Sequence, residues 1–264
     1  MSSLYRATPA DGVAWVTGAS SGIGRATCLE LAKRGFTVAA TARRKDELEK
    51  LAAEATGPGR ILAYPADVTR RDELVGAVEA IEAQAGPIVL AFLNAGTFFP
   101  MKGPDFDPDL VMRTFDINVG GTVNGLAALI PLMTARRKGQ IAVNASVAGY
   151  GGLPSSTAYG ATKAALINMA EALKFTLDKA GVTLQVVNPG FVGTPLTAKN
   201  DFPMPFIIPA DKAAVRICDG LARGGFEITF PRRLSWILKA ANLLPYWLYF
   251  PLVGKVTASD TGRG

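Results

Sequence analysis

Residues 13–41 read VAWVTGASSGIGRATCLELAKRGFTVAAT. An apolar run, Val13 to Thr17, stops at a glycine-rich turn. A helical pattern from Arg25 to Arg34 follows and closes at Gly35, and a second apolar run covers Thr37 to Thr41. Strand, turn, helix and strand within about 30 residues have the dimensions of a βαβ unit. The glycines of the turn are spaced G-x-x-x-G-x-G. Lacking Cβ, they let the backbone bend sharply and come close to a pyrophosphate. The helix that follows offers that anion its unpaired N–H groups and the positive end of its dipole. Gly18, Ser20, Ser21, Gly22, Ile23 and Gly24 are therefore candidate cofactor-binding residues.

The alternation continues outward from this unit. Helical patterns at Lys45–Glu54, Arg71–Ala85, Asp109–Ala135, Tyr159–Ala180 and Asp211–Ala222 are each followed by a β-like run. These runs are Ile61–Tyr64, Ile88–Leu93, Gln140–Asn144, Thr183–Val187 and Phe226–Phe230. Near-continuous apolar strands such as Ile88–Leu93 are those of a parallel sheet covered on both faces. The sequence predicts an α/β fold: one Rossmann-like, doubly wound parallel sheet of about seven strands with helices on both faces. The 264 residues suit a single dinucleotide-binding catalytic domain, with its core at 11–230 and an apolar, aromatic C-terminal extension at 231–264. Ligands of such sheets bind beyond the carboxyl ends of the strands.

Composition removes several chemistries. With no histidine in the chain, Ser-His-Asp triads, Cys-His dyads and histidine-based metal sites are excluded. Cys28 and Cys218 lie far apart, each in an apolar-periodic stretch, and read as buried free thiols. The net charge is +6, but the basic residues fall in scattered pairs rather than in an arm for nucleic acid. Met1 to Gly12 is polar, without the apolar segment of a secretory signal. A cytoplasmic protein is expected.

The second strand ends Thr41-Ala42-Arg43-Arg44. An acid at this point would bind the ribose 2′-hydroxyl of NAD. The first acid is Asp46, which belongs to the next helix. Arg43, beside Arg44, instead offers a planar fork of donors to a 2′-phosphate, so the expected cofactor is NADP(H).

The glycine motif, Asn94-Ala95-Gly96 after the fourth strand, and Tyr159-x-x-x-Lys163 together resemble the classical short-chain dehydrogenase/reductase family, of NADP-preferring type. The resemblance runs from about residue 11 to 230, with the motifs in family order. It implies that Asp67 and Val68 contact adenine and that Asn94, Ala95 and Gly96 line the adenosine ribose. It also implies that Pro189, Gly190, Val192 and Thr194 seat the nicotinamide. Many members have a second asparagine where this chain has Leu93, which raises the question of what pins that strand end.

Tyr159 and Lys163, four residues apart, share one helical face. A nearby ammonium favours the phenolate of a tyrosine, so Tyr159 can act as general acid for carbonyl reduction and as base for the reverse. Tyr-x-x-x-Lys is also a common packing pair, and taken alone it decides nothing. Ser146 ends the fifth strand, at the family's usual distance before the tyrosine, and can donate to a substrate oxygen that gains charge. Asn118 occupies the position of the family's fourth catalytic residue. There it would kink its helix and hold a relay water between Lys163 and solvent. Lys163 would also bind the nicotinamide ribose beside Tyr159. The expected reaction needs no metal, because tyrosine and serine polarise the carbonyl.

The substrate is less legible. Pro195–Pro209, with Phe202, Met204, Phe206 and Ile207, resembles the family's substrate-covering loop, and Gly151–Ser156 forms another wall. Neither carries a charge placed to grip an anionic group, which points to a small, apolar carbonyl or alcohol. The extension from Leu234 to Val253 is long enough to cross a bilayer, but Lys239, Asn242, Pro245 and Pro251 argue against a spanning helix. Two readings stay open: peripheral membrane contact through 232–253, supported by Trp236, Tyr246, Trp247, Tyr249 and Arg232-Arg233, or an arm packed on the body or on a neighbouring subunit. Leu166, Ile167, Met169, Leu173, Phe175 and Leu177 make the Tyr159–Ala180 helix apolar on more than one side, so a homodimer or homotetramer is expected. A catalytically silent cofactor-binding regulator on the same fold, and an NAD-linked alcohol dehydrogenase, are the competing readings.

Overall fold

The computed structural model describes residues 4–199 and 204–258. Seven parallel strands form the sheet: β1 (Val13–Thr17), β2 (Thr37–Thr41), β3 (Arg60–Ala63), β4 (Ile88–Leu93), β5 (Gly139–Asn144), β6 (Val182–Pro189) and, after two short strands, β9 (Glu227–Phe230). Their spatial order is β3-β2-β1-β4-β5-β6-β9. The chain winds one way from β1 through β3, then returns to β4 on the other side. The β1/β4 junction is therefore the topological switch point, where a crevice opens at the carboxyl edge.

Side chains alternate along buried strands, so β1 feeds two cores. Val13 and Trp15 pack with Leu74, Val78 and Ile81 of α3 (Arg71–Gln84), Leu129 of α5 (Gly121–Arg136) and Leu166 of α6 (Thr157–Leu177). Ala14 and Val16 face the other way, toward Leu31 of α1 (Gly22–Lys33), Leu48 and Leu51 of α2 (Lys45–Ala53) and Ile217 of α7 (Ala210–Arg223). Cys28 and Cys218 lie in this second core as free thiols, and burial pushes both pKa values up, that of Cys218 to about 12.

Two differences from the sequence expectations have simple causes. The helix after the glycine turn starts at Gly22 rather than Arg25, because the turn's last residues already form its first coil. The long helix is α4 (Pro108–Phe115) and α5 joined by a single π-turn, Asp116–Gly120, which contains Asn118. In α6, Leu166 and Leu177 are buried, and Ile167, Met169 and Leu173 are partly buried against the same core. Only Phe175 of that set is largely exposed, at 76%.

Beyond β6 lies a two-stranded ladder of β7 (Val192–Gly193) with β8 (Ile208–Pro209), which closes the base of the substrate-loop region. Phe206 and Ile207 are exposed on it, whereas Phe202 lies outside the described residues. The extension folds as two short helices, α8 (Arg232–Asn242) and α9 (Tyr246–Ala258).

Candidate active site

The predicted phosphate turn sits at the switch point. Gly18 and Gly22 have φ of +67° and +55°, a region that favours glycine. A Cβ on Gly18 would stand 2.8 Å from the Cα of Ala95, so the turns after β1 and β4 touch. A Cβ on Gly22 would meet Thr194 at 3.1 Å, so the segment after β6 reaches the same turn. Ser21 precedes α1 without capping it, and the first turn of α1 carries no acid. Its N–H groups remain available to an anion.

Asn94 pins the end of β4. Its N–H donates to Thr17 Oγ1 (2.9 Å), its side-chain amide donates to Thr17 O (3.0 Å), and its Oδ1 accepts from Asn144 Nδ2 (2.8 Å). Thr17 and Asn144 thus hold this strand end. The neighbouring Leu93 points into the core, where it fills the space that Gly125 of α5 leaves free.

On the other side of the turn, a cavity of about 270 Å³ is lined by Arg43, Pro65, Ala66, Asp67 and Glu73. The Arg43 side chain is 73% exposed and stands 3.9 Å from the Asp67 carboxylate. Burial raises the Asp67 pKa, but two hydrogen bonds from Thr69 and the charge of Arg43 outweigh it, and the net shift is downward. Arg44 reaches Ser20 Oγ at 3.3 Å, linking the β2 end to the glycine turn. Val68 is buried, packs against Gly121 and accepts a hydrogen bond from Asn124 at its carbonyl.

The four predicted catalytic residues come from the turn two residues beyond β5, the π-turn and α6. Lys163 is 3% exposed, and its Nζ donates to Asn144 O at 2.7 Å. The same Nζ lies 5.5 Å from the centre of the Tyr159 ring. Ser146 Oγ accepts from Ala148 N (3.1 Å) and makes a long contact to Pro189 O (3.4 Å), which ties the serine to the segment after β6. Asn118 is fully buried. Its Oδ1 accepts from Thr97 N (2.7 Å), while its Nδ2 donates to Thr97 O (3.1 Å) and to Thr162 Oγ1 (3.0 Å). A Cβ on Gly96 would meet Asn118 Oδ1 at 3.2 Å and Lys163 Nζ at 3.7 Å, so glycine is what lets this strand end approach the site.

Burial dominates the electrostatics. It lowers the Lys163 pKa to about 7 and raises that of Tyr159, which a hydrogen bond from Ser146 only partly offsets. In the chain alone, Tyr159 is therefore a protonated phenol at neutral pH.

Several participants gave little signal in sequence. Phe98 meets the Tyr159 ring edge-on at 5.2 Å. Thr97 and Thr162 receive the Asn118 side chain, and no spacing announces them. Asn144 and Asn188 stand out only as asparagines ending apolar strands. Glu227 accepts from Tyr150 Oη (2.6 Å) and Asn188 Nδ2 (2.8 Å) and pairs with Lys239 of α8. This hub joins the wall after Ser146, the segment around Pro189 and the extension. Leu234 of α8 packs against Gly190, whose N–H donates to Phe230 O at 2.7 Å. Val192 is buried behind this segment, and Thr194 and Thr197 close a turn beyond it. Tyr249 of α9 donates to Gly152 O at 2.7 Å. The inner side of the extension is therefore an arm packed on the rim of the site.

The family model for short chain dehydrogenases matches residues 12–203. An uncharacterized oxidoreductase of Myxococcus xanthus is 37% identical over 237 residues, covering 89% of this chain and 94% of the relative. The 3-oxoacyl-(acyl-carrier-protein) reductase FabG of Thermotoga maritima is 36% identical over 193 residues, covering 71% of this chain and 76% of that protein. The crystal structure of a short chain dehydrogenase/reductase from Burkholderia phymatum, in complex with NAD, superposes with a TM-score of 0.78. It covers 86% of this chain and 92% of that chain at 22% identity, a likeness of fold.

Proposed function

The chain belongs to the short-chain dehydrogenase/reductase family, and from that premise we propose that it is an NADP(H)-dependent oxidoreductase acting on a lipophilic ketone or aldehyde, or on the corresponding alcohol. The observation that carries this reading is the convergence of Ser146, Tyr159 and Lys163 beside a glycine cradle in which a Cβ would clash. The nicotinamide, when bound, supplies the hydride or accepts it.

The residues present fit such a cofactor. Gly18, Ser20, Ser21, Gly22, Ile23 and Gly24 would hold the pyrophosphate at the uncapped start of α1. Asp67 and Val68 would meet the adenine, and Asn94, Ala95 and Gly96 its ribose. Arg43 and Arg44 would take the 2′-phosphate above the cavity they border. Pro189, Gly190, Val192 and Thr194 would seat the nicotinamide. Lys163 uses one of its three donors on Asn144, leaving two for ribose hydroxyls.

In carbonyl reduction Ser146 and Tyr159 donate hydrogen bonds to the substrate oxygen. As that oxygen gains charge, Tyr159 would give it a proton. The phenolate left on Tyr159 is stabilised by the adjacent Lys163 ammonium. Proton return runs past Lys163 to water held near Asn118. Burial raises the Tyr159 pKa and keeps the proton on the phenol until transfer, and the Lys163 ammonium eases its loss. The uncharged Gly151–Ser156 wall and Phe98 favour an apolar substrate. A homodimer or homotetramer in the cytoplasm belongs to the same reading.

The test is NADPH oxidation by the purified protein over ketones and aldehydes of rising chain length and ring size, with NADH in parallel. Turnover that rises with apolar bulk and prefers NADPH supports the reading. Cofactor binding without turnover in either direction favours a silent regulator, and a preference for NADH overturns the cofactor assignment.

A further inference from the structure

The helices α8 and α9 have two unlike sides. The inner one holds Leu234, Lys239 and Tyr249 against the rim of the site. On the outer one, Trp236, Ile237, Leu243, Tyr246, Trp247 and Phe250 are between 60% and 86% exposed. Six large apolar side chains exposed within residues 236–250 mark an interaction site. No aspartate or glutamate occurs from Ile228 to Ala258, whereas Arg232 and Arg233 are exposed at the start of α8. Neither helix has the roughly 20 residues needed to cross a bilayer.

We propose that the outer face of α8 and α9 docks peripherally on an anionic lipid bilayer. Tryptophan and tyrosine combine a large apolar body with a polar N–H or O–H, which suits the headgroup boundary. Exposed arginines at its edge meet anionic headgroups. A second copy of the chain is a poorer occupant. In a twofold pairing the same face meets itself, so Arg232 and Arg233 of each copy would find no acid on the opposing 228–258 segment. Because the inner side of the same helices contacts Gly190 and the Gly151–Gly152 wall, docking sets the rim of the site close to the lipid surface.

Co-sedimentation with vesicles tests this, using the full chain and a Trp236→Ser, Leu243→Ser, Trp247→Ser variant. All three side chains are exposed, so the exchange leaves the inner contacts in place. The expected result is partition of the full chain onto phosphatidylcholine–phosphatidylglycerol vesicles at low ionic strength. Partition should fall at least about tenfold on phosphatidylcholine alone, and equally for the variant. Brominated lipid should quench Trp236 and Trp247 and leave the buried Trp15 unaffected. Absence of partition overturns the proposal. So does a variant whose only change is a smaller oligomer by light scattering, since the face would then belong to a second copy. The docking proposal does not depend on the reaction, and turnover of a water-soluble carbonyl in the same samples reads the enzymatic proposal separately.

Discussion

Lys163 Nζ donates to the carbonyl oxygen of Asn144 at 2.7 Å from a position that is 3% exposed. The bond fixes the ammonium beside Tyr159, and the burial that accompanies it lowers the Lys163 pKa to about 7. The unfolded lysine titrates near pH 10.4. Between those values the unfolded chain binds more protons than the folded one, so this group's contribution to stability rises with pH. Below about pH 7 the cost of a buried charge is constant, and above about 10.4 it is gone. Denaturant unfolding of the wild type and Lys163→Met should show the wild type gaining on the variant across this window, by up to about 1.4 kcal/mol per pH unit. A gap independent of pH would mean that Lys163 keeps an ordinary pKa in the fold.

Tyr159→Phe removes the proton donor and leaves the ring, its contact with Phe98 and the cofactor cradle in place. Turnover should fall by about 10²–10⁴-fold while NADPH affinity, read by fluorescence titration, changes little. Retention of most of the activity would sink the proton-transfer scheme.

Arg43→Ala should cut the preference for NADPH over NADH by about 10–100-fold, because a hydrogen bond to a charged group is worth about 1.5–3 kcal/mol. The side chain is largely exposed, so stability should hardly move. The ratio of kcat/KM for the two cofactors is the measurement. An unchanged ratio would transfer the selecting role to Arg44.

Asn118→Ala leaves Thr97 N, Thr97 O and Thr162 Oγ1 without their shared partner inside the fold. A loss of about 2–4 kcal/mol is expected, larger than for an ordinary exposed helix position. Chemical unfolding reads it, and a loss under about 1 kcal/mol would show that water replaces the side chain.

Gly125→Ala should destabilise by about 1–3 kcal/mol, since its Cβ would come within 2.8 Å of Leu93 Cδ2. Combined with Leu93→Val the cost should be less than the sum of the two single changes. Strict additivity would show that the two side chains do not share that space.

The glycine turn, the alternation of apolar strands and helices, and the order of the motifs were all legible, because each rests on local chemistry. A strand buried on both faces must be apolar, and a turn that cradles phosphate must be glycine-rich. The kink at Asn118 was expected, yet its cause, a π-turn whose side chain clamps Thr97 to Thr162, depends on a loop and a helix that meet only in space. In α6 the pattern could not divide its apolar residues between the chain's own core, which takes Leu166 and Leu177, and the surface, where Phe175 lies exposed; packing alone makes that division.

The sequence by itself determined the α/β class and the seven-stranded parallel sheet, and it named the side chains proposed for a site at the sheet's carboxyl edge. Only the tertiary structure decided their state. It joined Lys163 to Asn144, drew Glu227 between Tyr150, Asn188 and Lys239, and split the extension into a seated inner side and an exposed aromatic outer side. Periodicity and spacing report what neighbours along one element share. Burial, and with it the pKa of a lysine or the exposure of a tryptophan, depends on which distant elements pack against it.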